Sequence, residues 1–295
     1  MLKKRIKKWF KWCEKKLRTL IETLKYTKSN RPFYSIAAIS DFFIDILLSF
    51  IISTRVKSAL GKIIDNYYRW LQRSSRRAVV RIPDLNYDMT FLVMDYEALK
   101  IVLPEFERPI AKYFDYVSRK YGKGVFIDVG AHVGKYAVKM AKYGWNVIAL
   151  EPHPINYKLL NFNAKVNKCE IKTLQVAAYS SRGVLRLYLS DFSGRHSLVP
   201  RSNSYIFVPA ESIDDIVNSL GIQLHFIKFV KIDVEGVAVE VLKGMLNILR
   251  YSKPDIIIEI DPNEKEALKF LKELGYKVVP IYELGTLTNY YYCFQ

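Results

Sequence analysis

The feature that most limits what this chain can fold into is an alternation that begins at Val125. Short apolar runs occupy Val125–Asp128, Val147–Leu150, Ile171–Ala177, Phe226–Ile232 and Ile256–Ile260. Between and after them lie segments with apolar residues at helical spacing: Gly134–Tyr143, Ile155–Val166, Ile213–Leu220, Val239–Leu249 and Glu264–Leu274. The runs are too short for helices, and the segments between them are long enough for helical crossovers. That pattern predicts a parallel, doubly wound α/β sheet. Val184–Leu189 alternates and predicts an inserted hairpin, while Tyr276–Ile281 and Tyr290–Phe294 supply the closing strands. In such a sheet the ligand sits at the carboxyl ends of the strands, where the strand order reverses.

Three signals stand at those ends. The first is Asp128-Val-Gly-Ala-His-Val-Gly134, a strand, a turn and a helix start. Gly130 permits a sharp turn and a close approach to a ligand, and Gly134 opens the helix, whose first N–H groups are free. The turn is no pyrophosphate cradle, because His132 takes the place of a middle glycine and Asp128 adds an acceptor. The second is Glu151, 21 residues after Gly130, where an acid can accept both hydroxyls of a ribose. The third is Lys231-Ile-Asp-Val-Glu-Gly236. Asp233 and Glu235, two apart, share one face of a strand and could orient a substrate hydroxyl or take its proton. A nucleoside ligand without a pyrophosphate site, met by acids at three strand ends, points to S-adenosylmethionine and away from a nicotinamide.

These residues carry a resemblance. Phe126-Ile-Asp-Val-Gly-Ala-His-Val-Gly134, Glu151-Pro-His-Pro154, the helix end Asn163 to Asn167, Ala177-Ala178, Ser212-Ile-Asp214 and Val230-Lys-Ile-Asp-Val-Glu-Gly236 with Val241-Leu-Lys-Gly244 resemble the FkbM family of S-adenosylmethionine-dependent methyltransferases. The similarity runs from about 105 to 280. It implies the seven-stranded class I (Rossmann-like) sheet with its last strand antiparallel, and O-methylation of a sugar or another small or glycan hydroxyl. It places Asp128, Gly130, His132 and Gly134 about the methionine part of the cofactor, Glu151 on the ribose, and Pro152 and Ala177 beside the adenine. Asp233 and Glu235 would face the reaction. His196, in the loop Asp191-Phe-Ser-Gly-Arg-His-Ser197, is the second candidate base. One position departs from the family: where Glu-Gly-Ala-Glu is common, this chain reads Glu235-Gly-Val-Ala238, with Glu240 following. No metal is expected, since His132, His153, His196 and His225 have no ligand spacing.

The charge of the chain is distributed unevenly. Formal net charge is +17, from 46 Lys and Arg against 29 Asp and Glu. Residues 1–81 hold 20 of the former and 5 of the latter, a net +15, which leaves +2 for residues 82–295. Composition therefore divides the chain into a basic helical arm, 1–81, and a nearly neutral methyltransferase-like domain, 82–295. Over residues 2–24, Leu2, Ile6, Trp9, Phe10, Cys13, Leu17, Leu20, Ile21 and Leu24 form one stripe, with lysines elsewhere around the helix. Such a helix suits an anionic membrane interface, and equally packing on its own protein.

Residues 36–52 are the most apolar run, about the minimum for a span, but they contain Asp41 and Asp45. Each Asp costs roughly 3 kcal/mol at a bilayer centre, so an interfacial or packed helix is favoured over a crossing. Three scattered cysteines, Cys13, Cys169 and Cys293, predict reduced thiols in a cytoplasmic protein. The expected setting is a cytoplasmic enzyme peripheral to a membrane, acting on a hydroxyl of a glycan or lipid-linked acceptor. A nucleic-acid methyltransferase gripping through the arm ranks lower, as does a membrane-attached protein that keeps the fold without chemistry.

Overall fold

A computed structural model describes residues 17, 20, 21, 24, 39, 40, 43, 78–83, 88–104, 106–283 and 289–295. Most of the stripe over 2–24 and of the run 36–52 lies outside the described residues. Within them, Leu17, Leu20, Ile21 and Leu24 are helical, as their spacing predicts. Among the described residues no helix is long and apolar enough to cross a membrane.

Two compact units are present, Met1–Arg108 and Pro109–Gln295. The division lies further along the chain than the change of composition near 81. In the first unit, β1 (Ala78–Pro83) and β2 (Asp88–Val93) form an antiparallel pair. Their inward residues Val80, Ile82, Met89, Phe91 and Val93 are buried, the alternation of a half-covered hairpin. Helix α1 (Tyr96–Val102) follows, with the Asp95 side chain accepting from the Ala98 amide at 2.8 Å, a side-chain N-cap.

The second unit opens with α2 (Arg108–Tyr121) and then alternates strand and helix: β3 (Val125–Val129), α3 (Lys135–Lys142), β4 (Asn146–Leu150), α4 (Pro154–Val166) and β5 (Ile171–Leu174). A short β6 (Ala177–Ala178), β7 (Gly183–Tyr188) and β8 (Tyr205–Glu211) precede α5 (Ile213–Ser219) and β9 (Ile227–Ile232). The chain ends with α6 (Ala238–Lys243), β10 (Asp255–Ile260), α7 (Lys265–Glu273), β11 (Lys277–Glu283) and β12 (Asn289–Phe294). The main sheet has seven strands in the order β11-β12-β10-β9-β3-β4-β5. Strands β3, β4, β5, β9 and β10 are parallel, and β12 runs against both β10 and β11. This is the doubly wound seven-stranded sheet expected, with its last strand reversed. The order reverses between β3 and β9.

Both faces of the sheet are covered, which explains the near-continuous apolar strands. On one face Ile127, Val129, Val230, Ile232, Ile256 and Ile258 pack with residues of α5, α6 and α7. On the other, Phe126, Val147, Ala149, Phe229, Ile257, Tyr290 and Tyr292 pack with α2, α3 and α4.

Two expectations about elements change. Ile171–Ala177 is not one strand: β5 stops at Leu174, and Ala177 joins a second sheet of order β6-β8-β7. The helix expected over Val239–Leu249 breaks at Gly244 and finishes as a π-helical turn, Ile248–Ser252. The Gly244 carbonyl accepts from the Asp214 amide at 2.9 Å and the Asp214 carboxylate accepts from the Asn247 and Ile248 amides, which takes these groups out of the helical ladder; the Tyr179 carbonyl leaves no room for a Cβ at Gly244.

Candidate active site

The second face of the sheet changes character along its strands. Phe126 and Phe229, Cα partners across β3 and β9, are apolar neighbours low on the face. One pleat further toward the carboxyl ends these positions become Asp128 and Lys231, level with Ile257 and Tyr292, because successive residues on one face are two apart. One pleat beyond that, Glu259 and Tyr290 are partners across β10 and β12. Ionisable groups on two successive levels thus stand where the strand order reverses, with Asp233 just past the end of β9.

Lys231 is 3 % exposed and sits 2.9 Å from Asp233 Oδ2 and 3.7 Å from Asp128 Oδ1. Its ammonium also lies 5.6 Å from the centre of the Tyr136 ring, a cation–π distance. Asp128 is 1 % exposed, and neither of its carboxylate oxygens has a hydrogen-bond partner. Burial pushes its pKa up to about 6, against the pull of Lys231. Burial would raise Asp233 too, but the Lys231 charge and hydrogen bond, together with smaller neighbouring contributions, outweigh it and hold that carboxyl below its ordinary value. Tyr290 Oη approaches Asp233 Oδ2 at 3.5 Å.

The glycine turn is shaped by the protein itself. Gly130, His132 and Gly134 all have positive φ, 75°, 52° and 90°. A Cβ on Gly130 would lie 2.0 Å from the Asp233 carbonyl, and one on Gly134 would lie 2.6 Å from Leu160 Cδ1. The close approach expected of Gly130 is therefore made to the chain after β9, which brings Asp233 against the turn; the Asp233 amide donates to the Val129 carbonyl at 3.1 Å.

Glu151, 5 % exposed, binds this turn from the end of β4. Its Oε2 accepts from the His132 amide at 2.8 Å and its Oε1 from the His153 amide at 2.9 Å. Burial raises its pKa to about 7. A carboxylate offers about four lone-pair directions, so these two amides do not exhaust it as an acceptor.

Residues 189–204, between β7 and β8, form a strap over these strand ends. Ser193 Oγ is 3.0 Å from His132 Nε2, and its carbonyl accepts from Asn156 Nδ2 at 2.9 Å. The His196 ring lies 4.0 Å, centre to centre, from that of His153, and its Nδ1 accepts from the Ser190 amide at 3.0 Å. Ser197 Oγ donates to the Glu235 carbonyl at 2.5 Å. Arg201 reaches Glu235 Oε2 at 2.5 Å and Asp261 Oδ2 at 3.3 Å. Burial holds His132 down to about 3 and His196 to about 4, so both rings are neutral at pH 7.

The fold thus gathers Asp128, Gly130, His132, Glu151, Asp233, Glu235 and His196 at one end of the sheet, as the sequence predicts. It gives three of them partners the sequence did not show. Glu235 is engaged by Arg201, His132 by Ser193, and the His196 Nδ1 by its own loop. Ala177 packs its side chain with Leu187, Val208 and Ala210 in the second sheet. Glu240 turns to Ser180 and Lys243 and does not join Asp233. At position 238, where the family commonly has an acid, the Ala238 amide is capped by Glu264 Oε1 at 2.8 Å. Sequence reasoning missed Lys231, Glu259, Tyr290 and Arg201 as site residues. The first two had a signal: each is an ionisable residue inside an otherwise apolar strand, IKFVKI and DIIIEI. Among the described residues no group of His, Cys, Asp or Glu is placed to hold a metal.

A doubly wound sheet of this order, with acids and a glycine turn at its reversal point, defines a methyltransferase-type α/β domain. Residues 128–278 match the family model described as Methyltransferase FkbM domain, and the chain belongs to that family. It is 28% identical over 173 residues to Methyltransferase sdnD of Sordaria araneosa, covering 52% of this chain and 62% of that protein. It is 31% identical over 153 residues to the hexuronic acid methyltransferase AglP of Haloferax volcanii, covering 50% of this chain and 62% of that protein. The matches thus span about 62% of the length of these curated relatives. Among solved structures, a Methyltransferase FkbM from Methylobacillus flagellatus KT is similar at 18% identity and a TM-score of 0.44, over 79% of this chain and 60% of that one.

The methyl donor this family implies is S-adenosylmethionine, and the residues present fit it. Asp128 holds two buried oxygens without a hydrogen-bond partner, beside a turn whose following helix, α3, has no side-chain cap at its N-terminus. A buried carboxylate beside a helix N-terminus that no side chain caps suits a ligand part that is both cationic and carboxylate-bearing.

Proposed function

We propose that the domain transfers a methyl group from S-adenosylmethionine to a hydroxyl of a sugar or glycan acceptor. The observation that carries this reading is the Asp128–Lys231–Asp233 row at the strand-order reversal, with Glu151 one strand away. When bound, the donor supplies an electrophilic methyl group on a cationic sulfur. Asp128 offers its oxygens to the donor's ammonium group, and the Glu151 carboxylate has lone pairs left for the ribose hydroxyls. Gly130, His132 and Gly134 shape the turn between these acids, and Pro152 follows Glu151 toward the adenine side; Ala177 would contribute there through its backbone.

Asp233 is the group we assign to the acceptor. At 26% side-chain exposure it is open enough to meet a hydroxyl, orient it and receive its proton on a carboxylate oxygen. Fixing the acceptor in line contributes most of the acceleration, for which roughly 7–11 kcal/mol is available from proximity and orientation. The strap 189–204 excludes water from the strand ends. Glu235 acts through Arg201 to hold the strap. His196 stays neutral and lies tilted against His153, so it lines the site and does not compete with Asp233 for the proton. The hexuronic acid named for the Haloferax relative favours a sugar acceptor.

The arm's net +15, with Leu17, Ile21 and Phe43 exposed, supports work at an anionic membrane surface. The test offers tritiated-methyl S-adenosylmethionine and the full chain to a lipid-linked glycan fraction and, separately, to an RNA fraction. Label in the glycan alone supports the reading, and label in the RNA alone overturns it. Co-sedimentation of the full chain with phosphatidylglycerol vesicles, but not with phosphatidylcholine vesicles, tests the surface.

A further inference from the structure

We propose that the outer face of the small sheet is an acceptor subsite: Tyr188, Tyr205 and Phe207 pack against sugar rings, and Arg186 binds the carboxylate of an acidic unit, such as a uronate, in the same glycan. The inference rests on reading the acceptor as a glycan and deepens that reading. It assigns where the units that are not methylated are held and what charge they carry.

The face is set by the alternation of the β7–β8 hairpin. Leu187, Val208 and Ala210 point into the core of the second sheet, so the residues between them point out. In register these are Val184 with Pro209, Arg186 with Phe207, and Tyr188 with Tyr205. Val184, Phe207 and Tyr205 are 68%, 65% and 41% exposed. A single exposed apolar residue needs no explanation, but a contiguous strip of them marks an interaction surface.

The strip is already ordered. The Arg186 guanidinium carbon lies 4.8 Å from the centre of the Tyr205 ring and 5.9 Å from that of Phe207, a cation–π arrangement. Phe207 stands edge-on to Tyr205, with centres 5.6 Å apart and planes at 81°, and Tyr188 is 5.9 Å from Tyr205. Among the described residues no carboxylate pairs with Arg186. The guanidinium is thus held by the rings while its fork of N–H donors stays open, the geometry that takes a carboxylate in two parallel hydrogen bonds.

The chemistry of the strip chooses the occupant. An aromatic ring is negative over its face, which attracts the slightly positive C–H groups of a sugar ring. Of the six outward side chains, Arg186 carries the only charge. A nucleic acid would instead be tracked by several Lys and Arg along its phosphates. The basic arm, net +15 over residues 1–81, is repelled by Arg186 and suits this face poorly.

The strip is also continuous with the strap. The Tyr188 amide and carbonyl pair with Ser197 at 2.7 and 3.1 Å, and Ser197 Oγ reaches the Glu235 carbonyl at 2.5 Å. β7 and β8 are therefore the stem from which residues 189–204 cross the strand ends. A glycan held on the stem keeps its reacting unit close to the centre, and removing such remote binding raises KM without lowering kcat.

The experiment measures binding of tetragalacturonate and of uncharged maltotetraose to the full chain by calorimetry, without cofactor. It compares the unaltered protein with Arg186→Gln and Phe207→Ala, both at exposed positions. We expect tetragalacturonate to bind the unaltered protein more tightly than maltotetraose. Arg186→Gln should weaken tetragalacturonate by about tenfold and leave maltotetraose unchanged, while Phe207→Ala weakens both. Equal affinities for the two oligosaccharides, or affinities that neither substitution lowers, overturn the inference. Loss of polyuridylate binding, of phosphatidylglycerol vesicle binding or of self-association in Phe207→Ala, with tetragalacturonate binding unchanged, assigns the face to RNA, lipid or a second copy and overturns it as well. Label transfer to the lipid-linked glycan fraction by the same three proteins separates the two readings. A raised acceptor KM in the variants supports both. Label with one KM in all three counts against the subsite alone, and oligosaccharide binding lost in the variants with no label in any glycan counts against glycan methylation alone.

Discussion

Lys231 Nζ lies 2.9 Å from Asp233 Oδ2, and through this contact one buried ammonium holds the acids at the ends of two neighbouring strands. Its neighbour Asp128 is 3.7 Å from the same nitrogen. Replacing Lys231 by Met leaves both carboxylates without their counter-ion. Breaking a buried pair from one side costs about 3–5 kcal/mol. The urea midpoint of Lys231→Met should fall accordingly at pH 7, with an unchanged slope. The deficit should shrink toward pH 5, because Asp128, already held at about 6 by burial, then takes up a proton. Equal stability of the two proteins at pH 7 would show that Lys231 is not the counter-ion.

Asp233→Asn preserves shape and removes the base. Loss of a positioned base lowers turnover by about a hundredfold to ten-thousandfold. Cofactor affinity measured by calorimetry should change little, since Asp128 and Glu151 remain. Turnover that survives at the normal rate would remove Asp233 from the mechanism.

Glu151 has a pH signature. Burial raises its folded pKa to about 7 from an ordinary 4.5. Below about pH 4 the group is protonated in both the folded and the unfolded chain and is neutral toward stability. As pH rises from about 4.5 to 7 the unfolded chain ionises first, so the folded state loses roughly 3 kcal/mol over that window. Glu151→Gln lacks this loss. Without cofactor, the stability of the unaltered protein relative to Glu151→Gln should therefore fall across this window and stay level above it. The same substitution should weaken S-adenosylmethionine binding by about tenfold to a hundredfold, through the lost charged acceptors.

Arg201 ties the strap to the loops after β9 and β10, yet its side chain is 41% exposed. An ion pair so open to water contributes less than about 1 kcal/mol. Arg201→Ala should leave the melting temperature nearly unchanged, while amide hydrogen exchange of residues 195–203 quickens and the acceptor KM rises. Unchanged exchange would mean that the strap is held without Arg201.

Asp255 provides a contrast at the other end of β10. It is 1 % exposed and accepts from Lys120, at 3.0 and 2.8 Å, from Tyr121 at 3.1 Å, and from Tyr292. Asp255→Ala leaves two phenols without their acceptor, while Lys120, 32% exposed, can turn to water, and should cost about 1–3 kcal/mol in urea unfolding. Because this cluster lies at the amino ends of the strands, S-adenosylmethionine affinity should be unaffected in the protein that remains folded.

The elements of the second unit were largely legible because burial on both faces writes continuous apolar strands between helical periods. The misread elements share one cause. Ile171–Ala177 reads as a single apolar run, but whether Ala177 stays in the first sheet depends on its pairing with Ala210, 33 residues on. The expected helix 239–249 breaks at Gly244, where Asp214, 30 residues earlier, takes the Gly244 carbonyl and the Asn247 and Ile248 amides. Neither contact leaves a mark in the local pattern.

The candidate site divides in the same way. Asp128, Gly130, Gly134, Glu151 and Asp233 stand at the ends of apolar runs, and their spacing alone placed them at the carboxyl edge. By itself the sequence determined the class of sheet, the edge at which chemistry belongs, and the family, because periodicity and turn residues are local properties. Only the tertiary structure decided which groups meet: Lys231 with Asp128 and Asp233, Arg201 with Glu235. These partners come together when β3, β9, β10 and β12 pair in their order and when the strap folds back. Ion pairs depend on distances of a few ångströms across the sheet, and no spacing along the chain encodes them.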